Sequence, residues 1–255
     1  GSDRVFLQAL ALPEHRPRLA EAIAKGWLCF ESSGGVTELA KRLERAAIAA
    51  SPPADRRSDA PLAHVRWWCL CDRDSSDPAS LSPAAARVER ARRALNPPVP
   101  YGPLSRRTIE NYVPDAALQL WADLPDAPDA RRQRQAKADA VRKLPPSLRE
   151  RLDMKQGLVW GLREDEKQRL RGSQAQPMTR AQLNKALAPR TADEKSTLTR
   201  LHRDRAFLLP LQEGFGTGLA ELFADDRFQE SWLQQEGGVP RQERFDLIQS
   251  LLNRL

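Results

Sequence analysis

The feature that most constrains this chain is a pair of short apolar runs, each of which ends in an acidic residue. Residues 27–30 are Trp-Leu-Cys-Phe and precede Glu31, and residues 65–71 are Val-Arg-Trp-Trp-Cys-Leu-Cys and precede an Asp-Arg-Asp triplet. Short apolar runs bounded by turn residues are typical of buried strands in a parallel sheet. Side chains at the carboxyl ends of such strands collect in one crevice. The pattern predicts that Glu31, Asp72 and Asp74 lie close together.

Helical signals alternate with these runs. A glycine turn at 34–35 precedes apolar residues at helical spacing over 36–49. A Ser-Pro pair at 82–83 supplies an N-cap and a first-turn proline for a helix over 84–95. The proline-rich segment 97–104 is compatible only with a short edge strand. Strands that alternate with helices predict an α/β fold, with a small parallel sheet and helices on both faces.

The strand signal disappears from about residue 105 onward. Residues 115–255 predict several helices separated by charged or proline-containing connectors, and the polar stretch 127–143 fits either a solvated helix or a mobile segment. The sequence therefore predicts an N-terminal helical segment at 1–25, an α/β domain at 26–114 and a helical C-terminal region at 115–255.

The charge of the chain suits a nucleic-acid partner but does not require one. The formal net charge is +7, and 33 of the 41 basic residues are Arg. Guanidinium groups bind oxyanions bidentately, so this bias favours phosphate recognition. An Ala-, Arg- and Pro-rich composition is also typical of a GC-rich genome, and both explanations stay open.

The cysteines and the hydropathy predict a cytoplasmic protein. The three cysteines lie in or at the end of apolar runs, and an odd number of such thiols favours a reducing compartment over a disulfide framework. No apolar run approaches the roughly 20 residues that span a bilayer, and the N-terminus lacks a signal-peptide pattern. The start at Gly1-Ser2, without methionine, suggests a trimmed piece of a longer protein, and cleavage of a tag from a complete chain is the alternative explanation.

Three neighbouring carboxylates predict a metal site. Like charges a few ångströms apart raise one another's pKa unless a cation compensates them. Mg²⁺ and Mn²⁺ take oxygen ligands, and a pair of ions about 4 Å apart can activate water and steady the leaving oxygen in phosphodiester cleavage. In the alternative explanation, Asp72 and Asp74 only cap a turn before residues 77–78.

A third acidic segment follows the predicted edge strand. Residues 104–112 are Leu-Ser-Arg-Arg-Thr-Ile-Glu-Asn-Tyr, so Arg106 or Arg107 lies one helical turn before Glu110. On a helix these positions share a face, which would set phosphate donors beside a metal ligand. The alternative explanation is an ordinary surface salt bridge.

Taken together, these motifs resemble a known nuclease domain. A glutamate after the first run, Asp-Arg-Asp after the second and an arginine-rich segment leading into Ile-Glu-Asn-Tyr are similar to the TOPRIM domain of the OLD (overcoming lysogenization defect) family and of TOPRIM phage-defence effectors. The resemblance covers residues 27–113 and implies a Rossmann-like parallel sheet followed by a mostly helical region. By this resemblance, the metal ligands are Glu31, Asp72, Asp74 and Glu110, with Ser105 as a weaker candidate beside them.

The resemblance extends to a lysine and also has a departure. The segment Leu-Asp-Met-Lys-Gln-Gly at 152–157 resembles the part of these proteins that brings a lysine to the active site, which implies that Lys155 stabilises charge on the phosphate; an ordinary exposed lysine is the alternative. The family's usual Glu-Gly, with an acid four positions on, is replaced here by Glu-Ser-Ser-Gly-Gly at 31–35. Glu38 either supplies the displaced second acid or is a solvated helix residue.

These observations predict a Mg²⁺- or Mn²⁺-dependent endonuclease that uses two ions. The resemblance implies nucleic acid as substrate, a role in phage defence, an ABC-type ATPase as upstream domain or separate chain, and compatibility with a homodimer. The chain has no GxxxxGK[ST] loop, so it is not expected to hydrolyse ATP itself. The alternative is a catalytically silent TOPRIM-like module that binds nucleic acid or the ATPase. Topoisomerase or primase chemistry is a weaker third option, because no tyrosine-bearing cleavage domain or zinc module accompanies the motifs.

Overall fold

The computed structural model describes most of the chain outside the proline-rich segment 51–66 and the stretch 160–204. The described residues are 2–50, 67–75, 79–125, 127–159, 205–216, 218–235 and 238–255, with the single residues 165, 168, 170, 178, 179, 181, 182 and 196. They divide into two compact units: unit 1 comprises Gly1–Asp74, Ser80–Ser105 and Pro240–Leu255, and unit 2 comprises Ser75–Ala79 and Arg106–Val239.

The described elements are mostly helical, with one small sheet. The α-helices are α1 (Ser2–Leu10), α2 (Arg16–Ala24), α3 (Val36–Ala50), α4 (Pro83–Ala94), α5 (Asp115–Asp123), α6 (Pro128–Arg142), α7 (Pro146–Arg149), α8 (Arg205–Gln212) and α9 (Arg241–Leu252). The strands are β1 (Cys69–Cys71) and β2 (Tyr101–Pro103). Four 3₁₀ helices cover Ile109–Tyr112, Gly157–Val159, Gly218–Ala224 and Glu230–Gln234. A mixed α/β fold with a parallel sheet is therefore confirmed at this coarse level.

The two strands of unit 1 are parallel and are connected through α4. Cys69 pairs with Tyr101 and Cys71 with Pro103. The Ser82 hydroxyl accepts a hydrogen bond from the Ala85 amide at 3.1 Å, which makes it the predicted N-cap of α4. Helix α4 then packs on both α3 and β2. The predicted helix–strand order over residues 82–104 is confirmed, because its cap and turn chemistry is local.

The core of unit 1 lies between the sheet, α3 and α4. It contains the buried residues Ala40, Leu43, Cys69, Cys71, Val88, Ala91 and Val99. The C-terminal helix α9 also belongs to this unit: the Arg244 guanidinium donates to the Leu10 carbonyl at 3.0 Å, and Trp68 Nε1 donates to Ser250 at 2.9 Å. Because α9 packs here, unit 1 is discontinuous in sequence, and its bounds differ from the predicted domain bounds.

The regular elements that the structure describes in unit 2 are all helices. Helix α6 packs against α5 and α8, and α5 also contacts the two later 3₁₀ helices. The polar stretch that the sequence left open is the helix α6, whose Ala138, Ala140 and Val141 are buried. This outcome favours the solvated helix over the mobile segment, because one narrow apolar face is enough to anchor it.

The first predicted strand is wrong. Residues 27–30 have no strand pairing, the Trp27 side chain is 61% exposed, and Phe30 and Cys29 are exposed as well. The segment instead closes α2, since Gly26 has a φ of +70° and the Leu28 amide donates to the Ala22 carbonyl at 3.1 Å. A four-residue apolar run has no strand identity of its own, and here the helix end determines its path.

The helix that follows this segment is confirmed. Gly34 and Gly35 both have positive φ values, and α3 begins directly after them.

None of the helices that the structure describes is long and apolar enough to cross a membrane.

Candidate functional site

Two of the predicted acidic residues follow β1 directly. Asp72 is half-buried and Asp74 is exposed, and Asp74 has a φ of +52°, in the left-handed region that Asp tolerates better than most residues. The Arg73 carbonyl accepts from the Ser82 amide at 3.2 Å, so the chain folds back toward α4 at this point. The turn over residues 77–78, on which the capping alternative depended, lies outside the described residues.

The charges of Asp72 and Asp74 affect the pKa of a cysteine thiol in β1. Burial raises the pKa of the Cys71 thiol well above its usual range, and the negative charges of Cys69, Asp72 and Asp74 raise it further. Asp72 and Asp74 therefore contribute negative charge beside the end of β1.

Ser105 lies just beyond β2 in the same unit. The Leu104 amide continues the ladder by donating to the Cys71 carbonyl at 3.0 Å, and Ser105 follows it. The Ser105 hydroxyl donates to the Glu243 carboxylate of α9. A metal-binding role for this hydroxyl would have to compete with that bond.

Glu31 does not lie at a strand end, because the strand before it does not form. Its carboxylate is exposed and forms an ion pair with Arg42 of α3. Glu38, the candidate for a displaced second acid, is exposed too, and the hydrogen bond and charge of Lys41, 2.6 Å away, lower its pKa. The structure favours the solvated-helix explanation for Glu38. Within the described part of the chain, no three His, Cys, Asp or Glu side chains form a group that could hold a metal ion.

Unit 2 contains a buried carboxylate, that of Glu110. Glu110 lies in the 3₁₀ helix Ile109–Tyr112, with its side chain only 3% exposed. Its Oε1 is 3.4 Å from the Nζ of Lys155, and its buried Oε2 has no hydrogen-bond partner among the residues that the structure describes. A buried polar atom without a partner is costly and requires an explanation. An unsatisfied carboxylate oxygen is the donor that Mg²⁺ or Mn²⁺ prefers, so Glu110 fits a metal ligand.

Lys155 stands against Glu110 because Asn111 fixes the segment that carries it. The Asn111 amide donates to the main-chain carbonyls of Arg149 at 2.8 Å and Leu152 at 3.0 Å. Its oxygen accepts from the Thr108 amide and hydroxyl, which closes the capping box of the 3₁₀ helix. One buried side chain thus joins the glutamate turn to the loop before the lysine.

The glycine-rich segment 214–216 supports the same lysine from another direction. A Cβ atom on Gly214 would lie 2.2 Å from the carbonyl oxygen of Lys155, and one on Gly157 would lie 2.5 Å from that of Leu211. The Phe215 amide also donates to the Met154 carbonyl at 2.7 Å. These close approaches show that the segment packs on the backbone of the lysine loop.

The two arginines expected to bind substrate phosphate are committed to internal partners. Arg106 and Arg107 precede the 3₁₀ helix, so the predicted helical face shared with Glu110 is wrong, because the helix begins only at Ile109. Arg106 is buried and donates to the carbonyls of Asn111 at 2.8 Å and Gly238 at 2.6 Å.

Arg107 is buried as well. Its guanidinium donates to Asp153 at 2.9 Å, and its amide donates to the Glu150 carbonyl at 3.0 Å. Arg106 therefore stabilises the turn that carries Glu110, and Arg107 links this turn to the segment before Lys155.

Sequence reasoning missed a second group of arginines, in unit 1. A cleft of about 410 Å³ is lined by Arg73, Leu81, Glu89, Arg92, Arg93, Tyr101, Gly102 and Pro103. The signal that could have found it is the Glu-Arg-Ala-Arg-Arg sequence in the last turns of α4, which sets two arginines three and four residues after one glutamate.

Known proteins offer no match against which to set these residues. Comparison of the chain with protein-family models, curated proteins and solved structures finds no match in any of the three.

Proposed function

We propose that this chain is a Mg²⁺- or Mn²⁺-dependent nuclease that hydrolyses phosphodiester bonds in DNA or RNA. The observation that carries the proposal is the buried Glu110, whose Oε1 faces Lys155 at 3.4 Å while its Oε2 has no partner in the described part of the chain. A carboxylate held in this way is suited to a cation ligand, and a half-exposed ammonium beside it is suited to a substrate phosphate.

In this proposal the metal ligands are carboxylates. Asp72 and Asp74 supply oxygen ligands at the end of β1, Glu110 supplies one in unit 2, and Glu31 is a further ligand on the strength of the family resemblance alone. The bound metal would activate water for attack on the phosphorus atom and stabilise the leaving oxygen. Lys155 would balance the negative charge that develops on the phosphate.

The setting that the OLD-like motifs suggest is phage defence together with an ABC-type ATPase, carried upstream in a longer protein or as a separate chain. That ATPase and a homodimer are parts of the proposal that the motifs alone support.

The proposal is tested by cleavage of supercoiled plasmid, single-stranded DNA and transfer RNA with Mg²⁺, Mn²⁺ or EDTA. We expect metal-dependent cutting that falls by roughly 100-fold or more in Asp72→Asn and Glu110→Gln, because each removes one charged ligand oxygen and keeps the shape. Asp129→Asn is the matched control, since Asp129 is exposed and pairs with the neighbouring Arg132. Undiminished cutting in Asp72→Asn would refute the mechanism.

A second candidate is a catalytically silent module that binds nucleic acid or the ATPase. Two observations favour it: the pairing of Glu31 with Arg42, and the absence of a three-residue metal group among the described residues. Calorimetric titration with Mn²⁺ separates the candidates. If the chain is the nuclease, it should bind Mn²⁺, and this binding should weaken in Asp72→Asn. If it is the silent module, it should show no Mn²⁺ binding that depends on the carboxylates.

A further inference from the structure

The arginine-lined cleft of unit 1 carries more positive than negative charge. Arg73, Arg92 and Arg93 contribute three guanidinium groups, and Glu89 contributes the single carboxylate of the lining. The cleft is shallow and open to solvent, so a ligand can reach its guanidinium groups. An excess of guanidinium groups in a partly enclosed space attracts oxyanions.

Arg92 is held in a fixed position. Its Nε and Nη2 donate to the Glu89 carboxylate at 2.6 and 2.7 Å, its Nη1 donates to the Val99 carbonyl at 3.2 Å, and its side chain is only 18% exposed. A guanidinium fixed by such a fork loses little further freedom when it binds a ligand, so it is preorganised.

Arg93 is the arginine of the cleft that can exchange its pairing with Glu89 for a ligand. It pairs with the same Glu89 at 2.5 Å, but its side chain is 70% exposed. An exposed i,i+4 ion pair is weak, and Glu89 already has a bidentate partner in Arg92. Arg93 can therefore turn from Glu89 to an incoming oxyanion at little cost.

The strand backbone makes room for this arrangement. Gly102 has a φ of +150°, and a Cβ there would lie 2.6 Å from Arg92 Nε and 2.9 Å from Glu89 Oε2. Tyr101 forms part of the wall, and its ring stacks on Trp68 with the centroids 5.4 Å apart. Only glycine at position 102 leaves the arginine–glutamate pair in place against β2.

We propose that this cleft binds the phosphate groups of a nucleic-acid backbone. Arg73 lines it and stands in the chain between Asp72 and Asp74, so a strand in the cleft reaches the end of β1 where these acids lie. Phosphate binding in the cleft stands by itself, whereas its role as the substrate path rests on the nuclease proposed above. A free polyphosphate shares the same chemistry, and the experiment separates the two sources.

The test measures binding without catalysis. Fluorescence anisotropy of a labelled single-stranded DNA of 30 nucleotides is recorded in EDTA across a range of NaCl concentrations. We expect Arg93→Gln to weaken binding about tenfold, the loss of one charge-assisted contact, and to reduce the slope of log K against log salt by about 1. The matched control is Arg90→Gln, which removes the same charge from an exposed position of α4 outside the cleft lining.

Two results of this experiment would overturn the proposal. Equal affinities for Arg93→Gln and Arg90→Gln would overturn the cleft as the phosphate site, and so would wild-type protein that binds pyrophosphate but no DNA. A larger loss in the charge reversal Arg93→Glu than in Arg93→Gln is expected. Because the assay contains EDTA, it detects the cleft even if the chain proves unable to cleave, and failure of the nuclease proposal is thereby distinguishable from failure of this one.

Discussion

Substitution of Gly214 by alanine should destabilise the protein through one specific collision. The new Cβ would lie 2.2 Å from the Lys155 carbonyl oxygen and 2.6 Å from the Gln156 amide nitrogen. Both atoms belong to the main chain, so the two segments must separate by more than about 1 Å to reach ordinary contact distance. That movement also stretches the 2.7 Å hydrogen bond from the Phe215 amide to the Met154 carbonyl.

The magnitude follows from these two effects. Overpacking of a tight site costs about 1–3 kcal/mol, and a weakened buried hydrogen bond adds about 1 kcal/mol. We therefore expect Gly214→Ala to lower the free energy of unfolding by about 2–4 kcal/mol. For a chain of this size this corresponds to a fall in Tm of between about 4 and 16 °C, which calorimetry or circular dichroism measures.

Gly218→Ala is the matched control for this experiment. It makes the same change four residues later, where, among the described residues, a Cβ would meet Glu221 Oε2 alone, at 3.8 Å. Reduced backbone freedom in the unfolded chain should make it neutral or stabilising by up to about 1 kcal/mol. If Gly214→Ala melted at the same temperature as Gly218→Ala, the close contact between the glycine segment and the lysine loop would be refuted.

Two further predictions concern buried groups. Asn111→Ala should cost at least about 2 kcal/mol of unfolding free energy in urea titrations, because it removes the side-chain donor of the Leu152 carbonyl, one of the two donors of the Arg149 carbonyl and the acceptor of the Thr108 amide; an unchanged urea midpoint would contradict this. At pH 8 in native protein, DTNB should modify only Cys29, which is exposed, since burial raises the pKa of Cys69 to about 11 and that of Cys71 further. The thiolate fraction of a thiol with a pKa of about 11 is about one thousandth at pH 8 and grows as pH rises. Rapid reaction of a second thiol in Cys29→Ser would show that the strand is accessible.

Local signals explain which elements could be predicted from the sequence. The helix α4 begins where Ser82 and Pro83 require it, and the short strands follow from their apolar residues and the bounding prolines. The segment 27–30 has an equally apolar composition, but Gly26 lets the end of α2 turn back on itself at that point. Composition over four residues does not specify a pairing partner, and only tertiary contacts decide the outcome.

The same distinction between local sequence signals and tertiary contacts applies to the candidate site. The family resemblance implied that Lys155 accompanies the Ile-Glu-Asn-Tyr segment, and the structure has its Nζ 3.4 Å from Glu110. Spacing did not reveal that Arg106 and Arg107 are buried, because an arginine in a polar stretch has no sequence feature that distinguishes an internal hydrogen-bond partner from a ligand. The arginines of α4 were overlooked for the converse reason, since a Glu–Arg helix pair is most often solvated.

The discontinuity of unit 1 has a consequence for biosynthesis. Residues 106–239 leave the ribosome before α9, so unit 2 can become compact while unit 1 still lacks the helix that bonds to Leu10 and Trp68. Contacts between positions separated by more than 180 residues raise the contact order of unit 1 and slow its formation. Unit 1 therefore matures after unit 2, and a fragment that stops after residue 105 would expose the apolar surface that α9 covers.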